Sequence, residues 1–194
     1  LKLPAAADVD TDAEEAQVNN ARNAYDKLTD AQKTWVSPAA LQHLVAIESD
    51  IRTNIASAEA FADAVAALPG NDQLSKTAAK QVEMVDAAYK KMSSAQKNRV
   101  SAATLDVLAN KQAAVAANEK AAADLQKSVA ALPKGADIDT DAEVQALNAA
   151  MNAYNGMNDA QKSWVDAATV ANLQAISTGA IFDSEATRMA ALNL

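Results

Sequence analysis

One stretch is written three times in this chain: Tyr25 to Leu44 (YDKLTDAQKTWVSPAALQHL), Tyr89 to Leu108 (YKKMSSAQKNRVSAATLDVL) and Tyr154 to Leu173 (YNGMNDAQKSWVDAATVANL). A period of about 64 residues divides the chain into three small units rather than one or two ordinary domains. Each unit lies near the lower size at which enough apolar surface is buried to fold alone, so stacking on a neighbour adds to its stability. The pairs Leu3-Pro4, Leu68-Pro69 and Leu132-Pro133 mark the same point of the period. Residues 1–4 therefore read as the tail of a preceding repeat, 5–69 as repeat 1, 70–133 as repeat 2 and 134–194 as repeat 3.

Every unit carries the punctuation of three helices. Thr11-Asp-Ala-Glu14 and Thr140-Asp-Ala-Glu143 have capping-box form and open a long helix 1, with Ser75 at the matching place in repeat 2. From these caps to Tyr25, Tyr89 and Tyr154 the spacing is constant, whereas Pro69 to Ser75 is one residue shorter than its counterparts. The one length change thus falls in the linker, where insertions are tolerated. Val18, Ala21, Tyr25 and Leu28 share a helical face, repeated by Val82, Val85, Tyr89 and Met92 and by Leu147, Met151, Tyr154 and Met157.

A second cap at Thr29, Ser93 and Asn158, each followed three residues on by glutamine, opens a short helix 2 expected to end near Val36, Val100 and Val165. Ser37-Pro38 opens helix 3, since serine caps and proline at the first helical position gives up no needed amide; Ser101 and Asp166 hold the same place. Leu41, Leu44, Ile51, Ile55, Ala58, Ala62, Val65 and Leu68 line one face of a helix about 40–45 Å long. Its far half extends beyond its own helix 2 and is expected to pack on the following helix 1, giving an ordered rod. Repeat 3 departs from the pattern. Gly179 costs about 1 kcal/mol relative to alanine inside a helix, so its C-terminal helix is expected to be atypical: bent, broken or truncated. The predicted fold is all-α, with three tandem three-helix-bundle repeats (long helix 1, short helix 2, long helix 3) in an elongated rod.

Composition agrees with helices: half the residues are apolar, aromatics are only 4%, and glycine and proline number four each. A formal net charge of −8 with scattered lysines argues against nucleic acid, which demands clustered cations. The most apolar stretch, Ile55 to Leu68, carries Glu59 and Asp63, so no membrane insertion is expected. The chain begins at Leu1 without a signal-peptide pattern and is expected to be a segment of something longer. With no cysteine, disulfides and thiolate metal sites are ruled out.

The pattern A-x-x-A-Y-x-x-L-T-x-A-Q-K-x-x-V-x-x-x-x-L, closed by A-L-P about 40 residues after the tyrosine, resembles the alanine-rich three-helix repeats of surface and secreted proteins of Gram-positive bacteria. These belong with the tandem helical modules of albumin-binding and extracellular-matrix-binding proteins. The resemblance covers nearly the whole chain. It implies an extracellular location, at the cell surface or secreted, and a role as spacer or stalk, a monomeric segment within a longer chain. Such modules also occur in adhesins, which implies a host protein or glycan as partner, and in secreted carbohydrate-active enzymes as accessory segments.

Few residues stand out as sites. Trp35 and Trp164 occupy the position that Arg99 holds in repeat 2. A place that accepts both indole and guanidinium suits a half-exposed flank. The favoured reading is an amphipathic side chain covering the end of the bundle. The alternative is a partner contact at Trp35, Arg99 and Trp164, since these residue types dominate binding hot spots. Asp8-x-Asp10-x-Asp12 and Asp137-x-Asp139-x-Asp141 have the opening spacing of a calcium loop, but Ala13 and Ala142 replace the turn glycine, and Asn19 and Asn148 replace the bidentate glutamate. Acidic residues at a helix start account for both triplets through capping and the helix dipole. The recurring Gln32-Lys33, Gln96-Lys97 and Gln161-Lys162 leave the lysine with no assigned task. His43 is the only histidine, so neither a catalytic triad nor a histidine-rich metal centre is expected. No cofactor and no enzymatic activity are expected.

Overall fold

The computed structural model describes the backbone of residues 3, 4 and 9–192, and the side chains of those positions other than 12 and 181–192. Among the described residues every regular element is helical. In chain order these are α1 (Asp12–Asp26), α2 (Asp30–Lys33), α3 (Pro38–Ala66), α4 (Ala79–Lys91), α5 (Ser94–Lys97), α6 (Ala102–Ala130), α7 (Asp141–Gly156), α8 (Asp159–Lys162) and α9 (Ala167–Leu192). Single 3-10 turns at Asn71–Gln73 and Gly135–Asp137 precede α4 and α7. No helix among the described residues is long and apolar enough to cross a membrane.

The caps lie where the sequence puts them, and their geometry explains the boundaries. Thr11, Thr29, Ser93, Thr140 and Asn158 each accept from the third helical amide while the glutamate or glutamine there returns a bond to the cap backbone. Ser37 accepts from the Ala40 amide with Pro38 opening α3, and Ser75 accepts from the Ala78 amide ahead of α4. The short helices stop sooner than the sequence suggests. α2 ends at Lys33, and Trp35 and Val36 donate to the Gln32 and Lys33 carbonyls in a tighter i to i−3 pattern.

α9 runs through Gly179 without interruption. The residue is glycine because the 3-10 turn at Gly135 crosses the helix there. A β-carbon on Gly135 would stand 2.6 Å from the Ile176 carbonyl oxygen and 2.7 Å from the Gly179 Cα. Neither residue has a positive φ, so close backbone approach, rather than conformational freedom, selects glycine at both. Leu194, whose alignment with the end of α3 is ambiguous in the sequence, lies outside the described residues.

Two compact units result, one from Leu1–Leu68 with Val82–Ala109, the other from Pro69–Gln81 with Asn110–Leu194. The division falls within α4 and α6. In the first unit Val9, Val18, Leu44, Ile47 and Ile51 form a buried cluster, joined by Leu3, Ala21 and Ile55. The second is centred on Ala122, Leu125, Val129, Ile138, Leu147, Ala150, Met157, Val165, Leu173 and Ile176. Along α3 the buried residues are Leu44, Ile47, Ile51, Ala58, Phe61 and Val65. Ile47 and Phe61 thus enter the core without standing on the expected stripe, while Leu41, Ile55 and Ala62 are half-buried.

Candidate functional site

The short helices α2, α5 and α8 end in the same turn, which places Trp35, Arg99 and Trp164 at one recurrent corner. The three residues are not gathered into a single site. They meet different surroundings.

In the first unit the Arg99 guanidinium forms an ion pair with Glu15 at 2.8 Å, and the Asn98 amide donates to the Asp10 carbonyl at 3.2 Å. The α5 corner of repeat 2 is thereby tied to the linker and first helix turn of repeat 1. Arg99 Nε is buried and makes no hydrogen bond. Beside it, Glu59, Asn98, Ser101 and Thr104 line a cleft of 480 Å³ together with apolar groups of α3.

In the second unit the Trp164 indole donates to the Leu74 carbonyl at 3.0 Å, and the Lys76 amide donates to the Ser163 hydroxyl at 2.9 Å. Buried Asn118 donates to the same Leu74 carbonyl at 3.1 Å. Both lone pairs of that oxygen are engaged, which fixes the linker between α6 and the α8 corner. Trp35 has no such partner among the described residues and is 85% exposed.

Leu74 belongs to a set that the sequence shows only in retrospect. Val9, Leu74 and Ile138 each follow the repeat proline by five residues, and each is a buried branched apolar side chain in its linker. The one-residue difference in linker length therefore lies between Leu74 and its cap Ser75, where repeats 1 and 3 insert Asp10 and Asp139. A lone apolar residue in a loop has no periodicity to mark it. Its constant distance from the proline was the available signal.

A second feature accompanies the corner. In the second unit Ala122, Leu125 and Val129, from the far half of α6, complete the core made by Ile138, α7, α9 and the residues Met157 and Val165 between those helices. In the first unit the far half of α3 packs on α4, with the Phe61 and Tyr89 rings 5.2 Å apart and Gln96 of α5 donating to the Ser57 hydroxyl at 3.2 Å. The matching place in repeat 1 is an open apolar groove of 370 Å³ lined by Ala21, Tyr25, Leu28, Val36, Leu41 and Leu44. Leu3 lines it as well.

The recurring lysine has a place in the structure. Lys33, Lys97 and Lys162 hold their ammonium groups 5.6, 5.5 and 5.4 Å from the ring centroids of Tyr25, Tyr89 and Tyr154. Gln-Lys is thus a cap followed by a cation–π partner for the tyrosine of the preceding helix. His43 is exposed.

Of the acidic triplets, Asp8 and the Asp12 side chain lie outside the described residues. Among the described residues no three acidic or histidine side chains converge as a ligand set for a metal. Asp139 offers its amide to the Glu143 carboxylate at 3.3 Å, and Asp10 does the same toward Glu14 at 3.2 Å. The Thr11 hydroxyl and then the linker amides hold the Glu14 carboxyl below its ordinary pKa, and Thr140 does so for Glu143. Asp166 is held low by the Thr169 amide at the start of α9. Glu48 is held low by the Arg22 guanidinium, which grips both its oxygens at 2.6 Å and links α1 to α3. All four carboxylates are charged helix anchors. No protein-family model, curated protein or solved structure matches the chain.

Proposed function

We propose that this chain is a non-catalytic structural spacer: three tandem three-helix-bundle repeats in an elongated rod, presenting another domain away from a bacterial surface. The supporting observation is the joint itself. In each compact unit the corner of one repeat is bonded to the linker or first helix turn of the repeat before it, through Asn98 to Asp10 and Arg99 to Glu15 or through Trp164 to Leu74. Bonds of this kind make neighbouring repeats depend on one another, as in solenoids whose stability is a sum of repeat and interface contributions. Small-angle X-ray scattering tests the shape. A pair-distance distribution with a long tail supports the spacer, and a near-spherical particle overturns it.

The 85% exposure of Trp35 supports a second reading, an adhesin-type module that grips a host protein or glycan through this corner. Glycan-array and serum pull-down experiments with the native chain and Trp35→Ala decide it. Tryptophan-dependent capture of a defined ligand favours the adhesin.

A further inference from the structure

We infer that the open groove of repeat 1 and the exposed Trp35 beside it are one docking face, and that its occupant is a repeat of this same kind. The part of that repeat which enters the groove is the far half of its third helix. The inference extends the spacer reading, and its test does not depend on the shape of the particle.

Two joints supply the pattern. The helix segments that pack on the next repeat are Ala58-x-x-Phe61-x-x-x-Val65-x-x-Leu68-Pro69 and Ala122-x-x-Leu125-x-x-x-Val129-x-x-Leu132-Pro133, identical in spacing. Ala58, Phe61, Val65, Ala122, Leu125 and Val129 are all buried, which places these faces wholly inside their joints. Leu3-Pro4 carries the last two positions of the same pattern. Leu3 packs against the repeat 1 core as Leu132 packs against the repeat 3 core. The groove thus already holds the end of the motif, in register, and lies open where the Ala, Phe or Leu, and Val positions come.

Ala150, Met157 and Val165 are buried in the core that α6 completes, while Ala21, Leu28 and Val36 are half-buried, as are Val85, Met92 and Val100 at the joint that α3 makes. Three half-covered apolar walls around 370 Å³ fit an amphipathic helix with small and branched side chains at these spacings.

The corner residue adds specificity. Four residues after each helix 1 cap stands Glu15, Ala79 or Val144. Glu15 meets Arg99, whereas Ala79, in the repeat on which Trp164 docks, is buried. Charge is matched with charge, and indole with an apolar corner. Trp35 therefore calls for a preceding repeat of the repeat 2 type, with a free linker carbonyl like that of Leu74 and a small apolar residue like Ala79.

The test adds a second copy of residues 70–131 directly before Leu3, so that Leu3 takes the register of Leu132. Trp164→Phe in both the extended and the native chain leaves Trp35 as the sole tryptophan. The expected result is a blue shift of Trp35 emission and at least about a twofold fall in its acrylamide quenching, as a side chain moves from water into a packed contact. Leu125→Glu and Val129→Glu within the added copy abolish both changes. Equal quenching in the extended, control and native chains overturns the inference. Where far-UV dichroism shows that the added copy has not gained helix, a synthetic peptide of residues 118–133 is titrated into the native chain. Saturable NMR shifts of the Leu28, Val36 and Leu44 methyls then support the docking face, and their absence up to millimolar peptide overturns it.

Discussion

Gly135 and Gly179 touch backbone to backbone: a β-carbon on Gly179 would lie 3.0 Å from the Gly135 Cα, and one on Gly135 would lie 2.7 Å from the Gly179 Cα. The contact seats the 3-10 turn before α7 directly on α9. It explains why a helix continues through a residue of poor helix propensity.

The two glycines are not equivalent, which gives the first prediction. Gly135→Ala drives a methyl against the Ile176 carbonyl and the helix backbone, neither of which can rotate away, and is expected to cost about 1–3 kcal/mol. Gly179→Ala meets the same turn less closely and gains about 1 kcal/mol of helix propensity. Its stability is expected to stay within about 1 kcal/mol of native. Urea denaturation followed by dichroism measures both, and equal losses would show that close approach is not what selects glycine at 135.

Arg99 and Glu15 are predicted to be coupled. The pair is only partly exposed, at 18% and 27%, so truncation of either partner is expected to cost about 1–2 kcal/mol, above the range of fully solvated pairs. A double-mutant cycle with Arg99→Met and Glu15→Gln isolates the coupling. A sharper version combines Arg99→Trp with Glu15→Ala, reproducing the types found at Trp164 and Ala79. The combination is expected to recover most of the stability that Arg99→Trp alone loses. Additive losses would count against the rule that matches corner residues across a joint.

The sequence discloses most of this fold and little of these contacts, for physical reasons. Caps, prolines and helical stripes are local, so Thr11, Thr29, Ser37 and Thr140 mark their boundaries by chemistry alone. Far halves of the third helices need partners outside their own repeat, and the Phe61 to Tyr89 contact supplies one. What the sequence withholds is non-local or unperiodic. Val9, Leu74 and Ile138 stand singly in loops. Gly179 looks like a helix breaker until the turn that crosses it is seen. Trp35, Arg99 and Trp164 align in the sequence, yet Arg99 pairs with Glu15, Trp164 donates to the Leu74 carbonyl and Trp35 is exposed.

Glu48 gives the chain an acid-sensitive tie. Arg22 holds its carboxyl below the ordinary 4.5, so the carboxylate is favoured in the folded state relative to the unfolded one. The stability it confers is fully present above about pH 4.5 and is lost as pH falls through the lower folded-state value. Glu48→Gln is therefore expected to lower the melting temperature at neutral pH and to flatten its decline below that point. Parallel declines in the native and variant chains would show that the Arg22 pair carries no pH dependence.

The Leu74 carbonyl accepts from both Trp164 and Asn118. Trp164→Phe keeps an aromatic ring and removes one donor, for an expected loss of about 1 kcal/mol. Asn118→Leu removes the other and replaces a buried amide by an isosteric apolar group. With either donor gone the oxygen keeps one partner, but the double variant leaves it buried and unsatisfied, so its loss is expected to exceed the sum of the single losses. Simple additivity would mean that water reaches the Leu74 oxygen.

The three lysine–tyrosine pairs are expected to differ in a defined order, although their sequences look alike. Lysine to methionine keeps the apolar stem and removes the charge, so each substitution reports the cation–π contact, about 0.5–1 kcal/mol at such sites. Lys33→Met is expected to cost least, because the Arg22 guanidinium also lies 5.6 Å from the Tyr25 ring and remains. Lys162→Met removes the cation facing Tyr154 and should cost more. Lys97→Met should cost most, since Lys97 also donates to the Lys90 carbonyl at 3.2 Å and so joins the end of α4 to α5. Glutamine capping is untouched in all three, so the short helices persist and the comparison is confined to the lysine. Thermal melts of the three variants rank them, and equal losses would indicate that the lysine recurs for its stem rather than its charge.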